Sequence, residues 1–217
     1  MRFKNLIFLS LLTTICCAQT VDPQLKEPLP INAHATLNLE LRDEILGMWK
    51  DYVSQLERLA EFNDSSEREF QAFDALQEKQ NVRLKEILST YGWPGINLVG
   101  FKAFATMGSL IQLQDQDSEL RKQCLAVLKN AVEQQQKEHY FNYIHIVDQV
   151  RRDDDLPQVY GTQWIIQKDG KYVLYPVEDP KNLNQRRAAL GLAPMELFIK
   201  AFKNIMNFSD SDIEYSL

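Results

Sequence analysis

From Leu41 to Leu59, apolar residues recur at steps of three and four: Leu41, Ile45, Trp49 or Met48, Tyr52, Leu56 and Leu59. That spacing is the 3.6-residue period of a helix with one apolar face, and a strand, whose period is two, cannot bury it on one side. The polar cluster Asn63-Asp64-Ser65-Ser66-Glu67 breaks the pattern, and Asp64 with Glu67 three residues on resembles a capping box for a second helix. That helix carries Phe70, Phe73, Leu76, Leu84, Ile87 and Leu88 on one side and many Glu, Gln and Lys residues on the other. Two long one-faced helices joined by a short polar turn satisfy each other as an antiparallel hairpin.

Tyr91-Gly92-Trp93-Pro94-Gly95 stops the second helix, since two glycines and a proline in five residues cannot continue it. The spacing predicts further helices over Phe101 to Gln112, after the Asp115-Gln116-Asp117-Ser118 cap (Leu120, Cys124, Leu128 and Ala131 inward), and from about Glu138 to Arg152 (Tyr140, Ile144, Val147 and Val150 inward). The period then changes. Trp164-Ile165-Ile166 and Tyr172-Val173-Leu174-Tyr175 flank Asp169-Gly170, a strong hairpin signal. Asp179-Pro180 starts a short helix that Gly191 ends. Pro194 starts the last one, with Leu197, Phe198, Ala201, Phe202 and Ile205 expected inside. The expected fold class is therefore α+β and predominantly α-helical: six or seven helices, with one β-hairpin near 164–176 between the fifth and sixth.

The N-terminus adds a processing signal. Arg2 and Lys4 precede an apolar run, Leu6 to Ala18, that ends in small residues, the order of a secretory signal peptide over 1–18 with cleavage after Ala18. The run is shorter than the ~20 residues of a spanning helix. A lipoprotein, acylated at Cys16 or Cys17, is the minor alternative, since Ile15 and Cys16 fit poorly the small residue usually found before an acylated cysteine. The expected organisation is an extended leader over 19–35 carrying Pro23, Pro28 and Pro30, a single domain over 36–208, and an acidic tail over 209–217 that frays. The expected location is the periplasm or the medium. Cleavage leaves Cys124 as the sole cysteine, so the processed chain has no internal disulfide to rely on. Losing Arg2 and Lys4 takes the formal charge from −6 to −8, which disfavours nucleic acid and anionic lipid as partners.

Strong catalytic signatures are missing: there is no phosphate-binding glycine loop, Gly-x-Ser-x-Gly elbow, paired-cysteine motif or His-Glu-x-x-His. The best candidates lie between His145 and Gln163. Phe141, His145, Asp148 and Arg152 follow at steps of four, three and four and share one helix flank, so Asp148 can meet His145 or Arg152. The bland alternative is a surface Asp148–Arg152 ion pair worth a few tenths of a kcal/mol. The only histidines are His34, His139 and His145. The last two point to different sides of their helix, so no metal site and no cofactor is expected.

Gln158, Tyr160, Thr162 and Gln163 bring amides, a phenol and a hydroxyl to one short segment around Gly161, chemistry suited to hydrogen-bonding a ligand or to fixing a turn. Arg186 and Arg187 are adjacent on a helix, so one can face inward, where it needs a carboxylate from Asp148 or Asp115 or else an anionic ligand. Gln112 and Asp115 could join the same cluster. Asp148, Gln158, Tyr160, Gln163 and at least one of the two arginines are expected to converge, as a structural lock if sealed from water and as a pocket if open.

Gly92-Trp93-Pro94, Gly100, Gln112 with Asp115, Asp148, Pro157 through Gln163, Pro176-Val177-Glu178-Asp179, Arg186-Arg187 and Gly191-Leu192 together resemble a bacterial domain family of unknown function, over roughly residues 88 to 200. The resemblance implies no activity, only that these polar residues belong to one unit. Two positions depart from the family's pattern: Gln112-Leu113 stands where Gln-His is expected, and Asp148-Gln149 where Asp-Arg is expected. If those residues work in relatives, this chain is a diverged or inactive member. Two functional classes follow. One is a binding or interaction module for a small ligand, a peptide or a protein partner. The other is a hydrolase with Asp148 and His145 as acid and base and an arginine as anion support.

Overall fold

The computed structural model describes residues 36–61, 67–114, 117–167 and 169–215. The signal-peptide and leader expectations, the Asp64 cap and Asp115 lie outside the described residues. The described chain is predominantly helical, with seven α-helices and a small three-stranded sheet. It forms two compact units, whose described parts are 36–120 and 121–215.

In the first unit, α1 (Leu39–Glu61) buries Leu41, Ile45, Met48, Tyr52, Leu56 and Leu59, the stripe expected from the spacing. α2 (Glu67–Tyr91) turns Phe73, Leu84 and Ile87 inward, together with Gln77 and Gln80. These two glutamines earn burial by donating to main-chain carbonyls: Gln77 Nε2 to Leu113 O at 3.2 Å and Gln80 Nε2 to Met48 O at 2.7 Å. Tyr52, Leu56, Leu59, Phe73 and Leu113 form one apolar cluster, with Trp49 and Phe70 against it. α3 (Ile96–Gln112) starts five residues earlier than Phe101. It bends at Gly100, whose φ of 75° interrupts the helix, a conformation that favours glycine. The start of α4 (Ser118–Glu133) is capped by Asp117, whose Oδ1 accepts from Leu120 N–H at 2.8 Å.

In the second unit, α5 (Tyr140–Asp153) is joined to α4 by Arg121–Asp153 at 2.6 Å and Lys122–Asp154 at 2.7 Å. The hairpin forms as expected, β1 (Trp164–Ile166) antiparallel to β2 (Tyr172–Leu174). A short 3-10 turn over Pro180–Asn182 leads into α6 (Leu183–Ala189), and α7 (Met195–Met206) follows. Leu197 was expected inside α7 and is 58% exposed. Met195, Phe198, Ile199 and Phe202 make the inner face instead, because the helix begins at Met195 and its buried stripe runs 195, 198, 199, 202. Trp164 stacks on Phe202 at 5.1 Å, and Tyr172 meets Phe208 at 4.7 Å. In the stretch expected to fray, β3 (Ile213–Glu214) pairs in parallel with β2.

Candidate functional site: a buried carboxylate and a clamped loop

Asp148 lies on the inner face of α5 and is 0% exposed. A buried carboxylate is tolerated only where donors satisfy it. Here they all come from the segment that follows the helix. Asp148 Oδ1 accepts from Val159 N–H at 2.7 Å and Tyr160 N–H at 3.0 Å, and Oδ2 accepts from Thr162 N–H at 3.0 Å and the Thr162 hydroxyl at 2.9 Å. Helix and loop are thus tied by charge-assisted bonds, the stronger kind.

The carbonyls of the same loop point the other way and are taken by the two arginines. Arg186 Nε donates to Val159 O at 3.0 Å, and Arg187 donates to Tyr160 O at 2.5 Å and Ala193 O at 2.7 Å. Arg186 also donates to the carbonyls of Glu178 and Asp179, and Asp179 holds a left-handed φ of 42°. Gln158 and Gln163 close the ends. Gln158 Oε1 accepts from Gln163 N–H at 2.7 Å, and its Nε2 donates to Gln163 O at 3.0 Å and Tyr175 O at 2.7 Å. The Gln158 main chain bridges to Val177, donating to Pro176 O and accepting from Glu178 N–H, both at 2.8 Å. Gly161 sits at φ 75°, and a Cβ there would stand 3.0 Å from Met195 Sδ. The Tyr-Gly-Thr order therefore has a steric cause: the left-handed φ favours glycine, and a side chain there would push on Met195 of α7.

The structure brings Asp148, Gln158, Tyr160, Thr162, Gln163, Arg186 and Arg187 together. It corrects one pairing. The inward arginine, Arg187, was expected to need Asp148, yet every hydrogen bond of Asp148 runs to the loop. The opposite charges face each other across the peptide groups between them, the carboxylate taking N–H donors and the guanidinium taking carbonyls. Nor does Asp148 pair with Arg152, whose guanidinium lies over the Tyr175 ring at 6.0 Å. Burial pushes the Asp148 carboxyl up from the usual carboxylate range, and the loop donors pull it part of the way back.

His145 is buried one turn before Asp148, its ring 4.5 Å from Phe141, and its carbonyl accepts from Gln163 Nε2 at 3.5 Å. Burial first, and the nearby Arg187 charge second, push its imidazole down to about 3, so it is neutral at physiological pH. Gln112 ends α3, buried, in the first unit. Tyr143, not singled out from the sequence, stands beside the clamp: its ring is edge-on to that of Tyr160 at 6.1 Å. Its step of five from Asp148 leaves it off the three- and four-residue spacing by which helix neighbours show in a sequence. Among the described residues no cluster of His, Cys, Asp or Glu could hold a metal ion, and no helix is long and apolar enough to cross a membrane.

A helical domain whose α5 carboxylate and α6 arginines grip the loop between α5 and β1 is the class that the fold defines. The chain belongs to a family of unknown function, DUF6624, whose profile matches residues 39–209. The match reaches further toward the N-terminus than the motifs do and takes in α1 and α2. Comparison with curated proteins and with solved structures gives no match.

Proposed function

We propose that this chain is an exported binding or interaction module, and that the outer side of the clamped loop is where a small ligand or peptide is read. The observation that carries the reading is how the loop divides its groups. Its main chain and the Thr162 hydroxyl are turned inward on Asp148, Arg186 and Arg187, while the Val159 and Tyr160 side chains stay half-buried, Tyr160 beside Tyr143. A loop whose backbone is already fixed loses little freedom when a partner lands on it, which favours affinity. The hydrolase alternative is supported less well. General acid–base work needs a group within ~3 Å of a substrate atom, whereas both Asp148 oxygens are taken by the loop and His145 is buried. The charged, apolar, small-residue order of residues 1–18 supports export.

The test is a calorimetric and NMR screen of the purified protein against small polar compounds and short peptides, run in parallel on Tyr160→Phe. Ligands should perturb Tyr143 and Tyr160 resonances, and Tyr160→Phe should lose that binding at an unchanged melting temperature. Turnover of ester, amide or phosphoester substrates that disappears in a folded His145→Gln variant would contradict the proposal. For export, mass spectrometry of protein from the native host should find an N-terminus at Gln19, and an intact Met1 would refute it.

A further inference from the structure

The third strand differs from the rest of the sheet in how it is held. Main-chain bonds from Tyr175 N to Gln163 O and from Gln167 N to Lys171 O fix the hydrogen-bonded pairs of the hairpin. By alternation Val173 bonds to β1, so the main-chain groups of Tyr172 and Leu174 face the opposite edge. Two residues cover that edge, with Ile213 opposite Tyr172 and Glu214 opposite Val173. Ile213 is the segment's one buried side chain, and beyond the two-residue pairing to β2 its own side-chain contacts are polar. Lys203 pairs with Asp210, which is 98% exposed, and Ser209 N–H donates to Asp212 Oδ2 at 2.7 Å. Asn207, in the left-handed region at φ 53°, is the bend from which the segment leaves α7.

We propose that residues 209–215 form an exchangeable strand, an internal occupant of a sheet edge that also takes an extended acidic peptide carrying one branched aliphatic residue. Adding a strand to an open edge is a general mode of peptide recognition, in which main-chain bonds supply affinity and one alternating side chain supplies selectivity. The chain's own segment states the chemistry of the guest. It runs parallel to β2, its isoleucine is the one buried side chain, and its acidic residues Asp210, Asp212 and Glu214 include one, Asp210, that pairs with Lys203 of α7. The edge is separate from the clamped loop, so this inference does not depend on the site proposed above.

The experiment uses the full chain and a fluorescent peptide of residues 209–215 as probe. In the wild type the tethered strand outcompetes the probe, because tethering gives it an effective concentration in the mM range. In Ile213→Asp the tethered strand is weakened. Probe affinity should rise at least tenfold, and protection of the Tyr172 amide from exchange should fall without probe and return with it. A probe with Asp in place of its isoleucine should not bind. Three results would overturn the proposal: no binding by a variant whose circular dichroism matches the wild type, a Tyr172 amide that stays protected in that variant, or equal binding by wild type and variant. Ile213→Ala, read in the same way, decides the matter if the aspartate variant does not fold.

Discussion

Two irregular segments of the second unit are held in place by opposite means. The loop over 158–163 is fixed by buried polar groups: Asp148 at 0% exposure, Gln158 at 0% and Arg187 at 3%, each bonded to main chain. The segment over 209–215 is fixed by one buried isoleucine, a two-residue pairing to β2 and polar contacts such as that of Lys203 to the exposed Asp210. The same bond types are therefore worth very different amounts. A bond to a charged group shielded from water contributes more than a neutral one, and its loss strands donors that water cannot reach. An exposed ion pair contributes less than about 1 kcal/mol. The first arrangement makes a rigid platform and the second a strand that comes away.

The sharpest way to break this comparison is Asp148→Ala. It leaves the Val159, Tyr160 and Thr162 donors buried without their acceptor, and should cost about 4–5 kcal/mol of unfolding free energy in urea titrations. A cost below about 1 kcal/mol would place the loop in the same class as the C-terminal segment.

Acid is the next largest effect. The His145 pKa of about 3 in the folded protein lies below its unfolded value near 6.5, so the unfolded chain binds the extra proton between those limits. The contribution of His145 is whole above about pH 6.5 and is lost as pH falls toward 3, about 3 kcal/mol by pH 4. Asp148 acts with the opposite sign. Its raised pKa means that the folded form takes the proton first, which adds stability as pH falls through that value. Comparing stability–pH curves of the wild type and His145→Gln isolates the histidine: the variant should lose the acid-side decline that His145 imposes.

Gly161→Ala forces a side chain into φ 75° and against Met195 Sδ, and should cost about 2 kcal/mol, read as a lower melting temperature. At the small end, Asp210→Ala removes an exposed carboxylate and its contact to Lys203, and should change stability by less than about 0.5 kcal/mol.

What the sequence made legible follows the same division. Apolar burial leaves a periodic trace, so the α1 stripe from Leu41 to Leu59 and the hairpin around Asp169-Gly170 could be read directly. Gln77 and Gln80 could not, because a glutamine goes inside only when a carbonyl from another helix is placed to accept from it. β3 was hidden because two residues carry no period. The composition of the clamp stood out as a run of amides and hydroxyls, and its convergence with an arginine followed from chain order. Its pairing did not, because Asp148 and Arg187 both bond to peptide groups, which every residue has and no sequence distinguishes.

The central claim is that the loop backbone is a buried, charge-held lock rather than a mobile surface turn. Native-state hydrogen exchange of the Val159, Tyr160 and Thr162 amides tests it most directly. A lock predicts that all three exchange with free energies near that of global unfolding, alongside the core amides of α5. Exchange within a few-fold of the free-peptide rate at these three positions, while α5 stays protected, would contradict it.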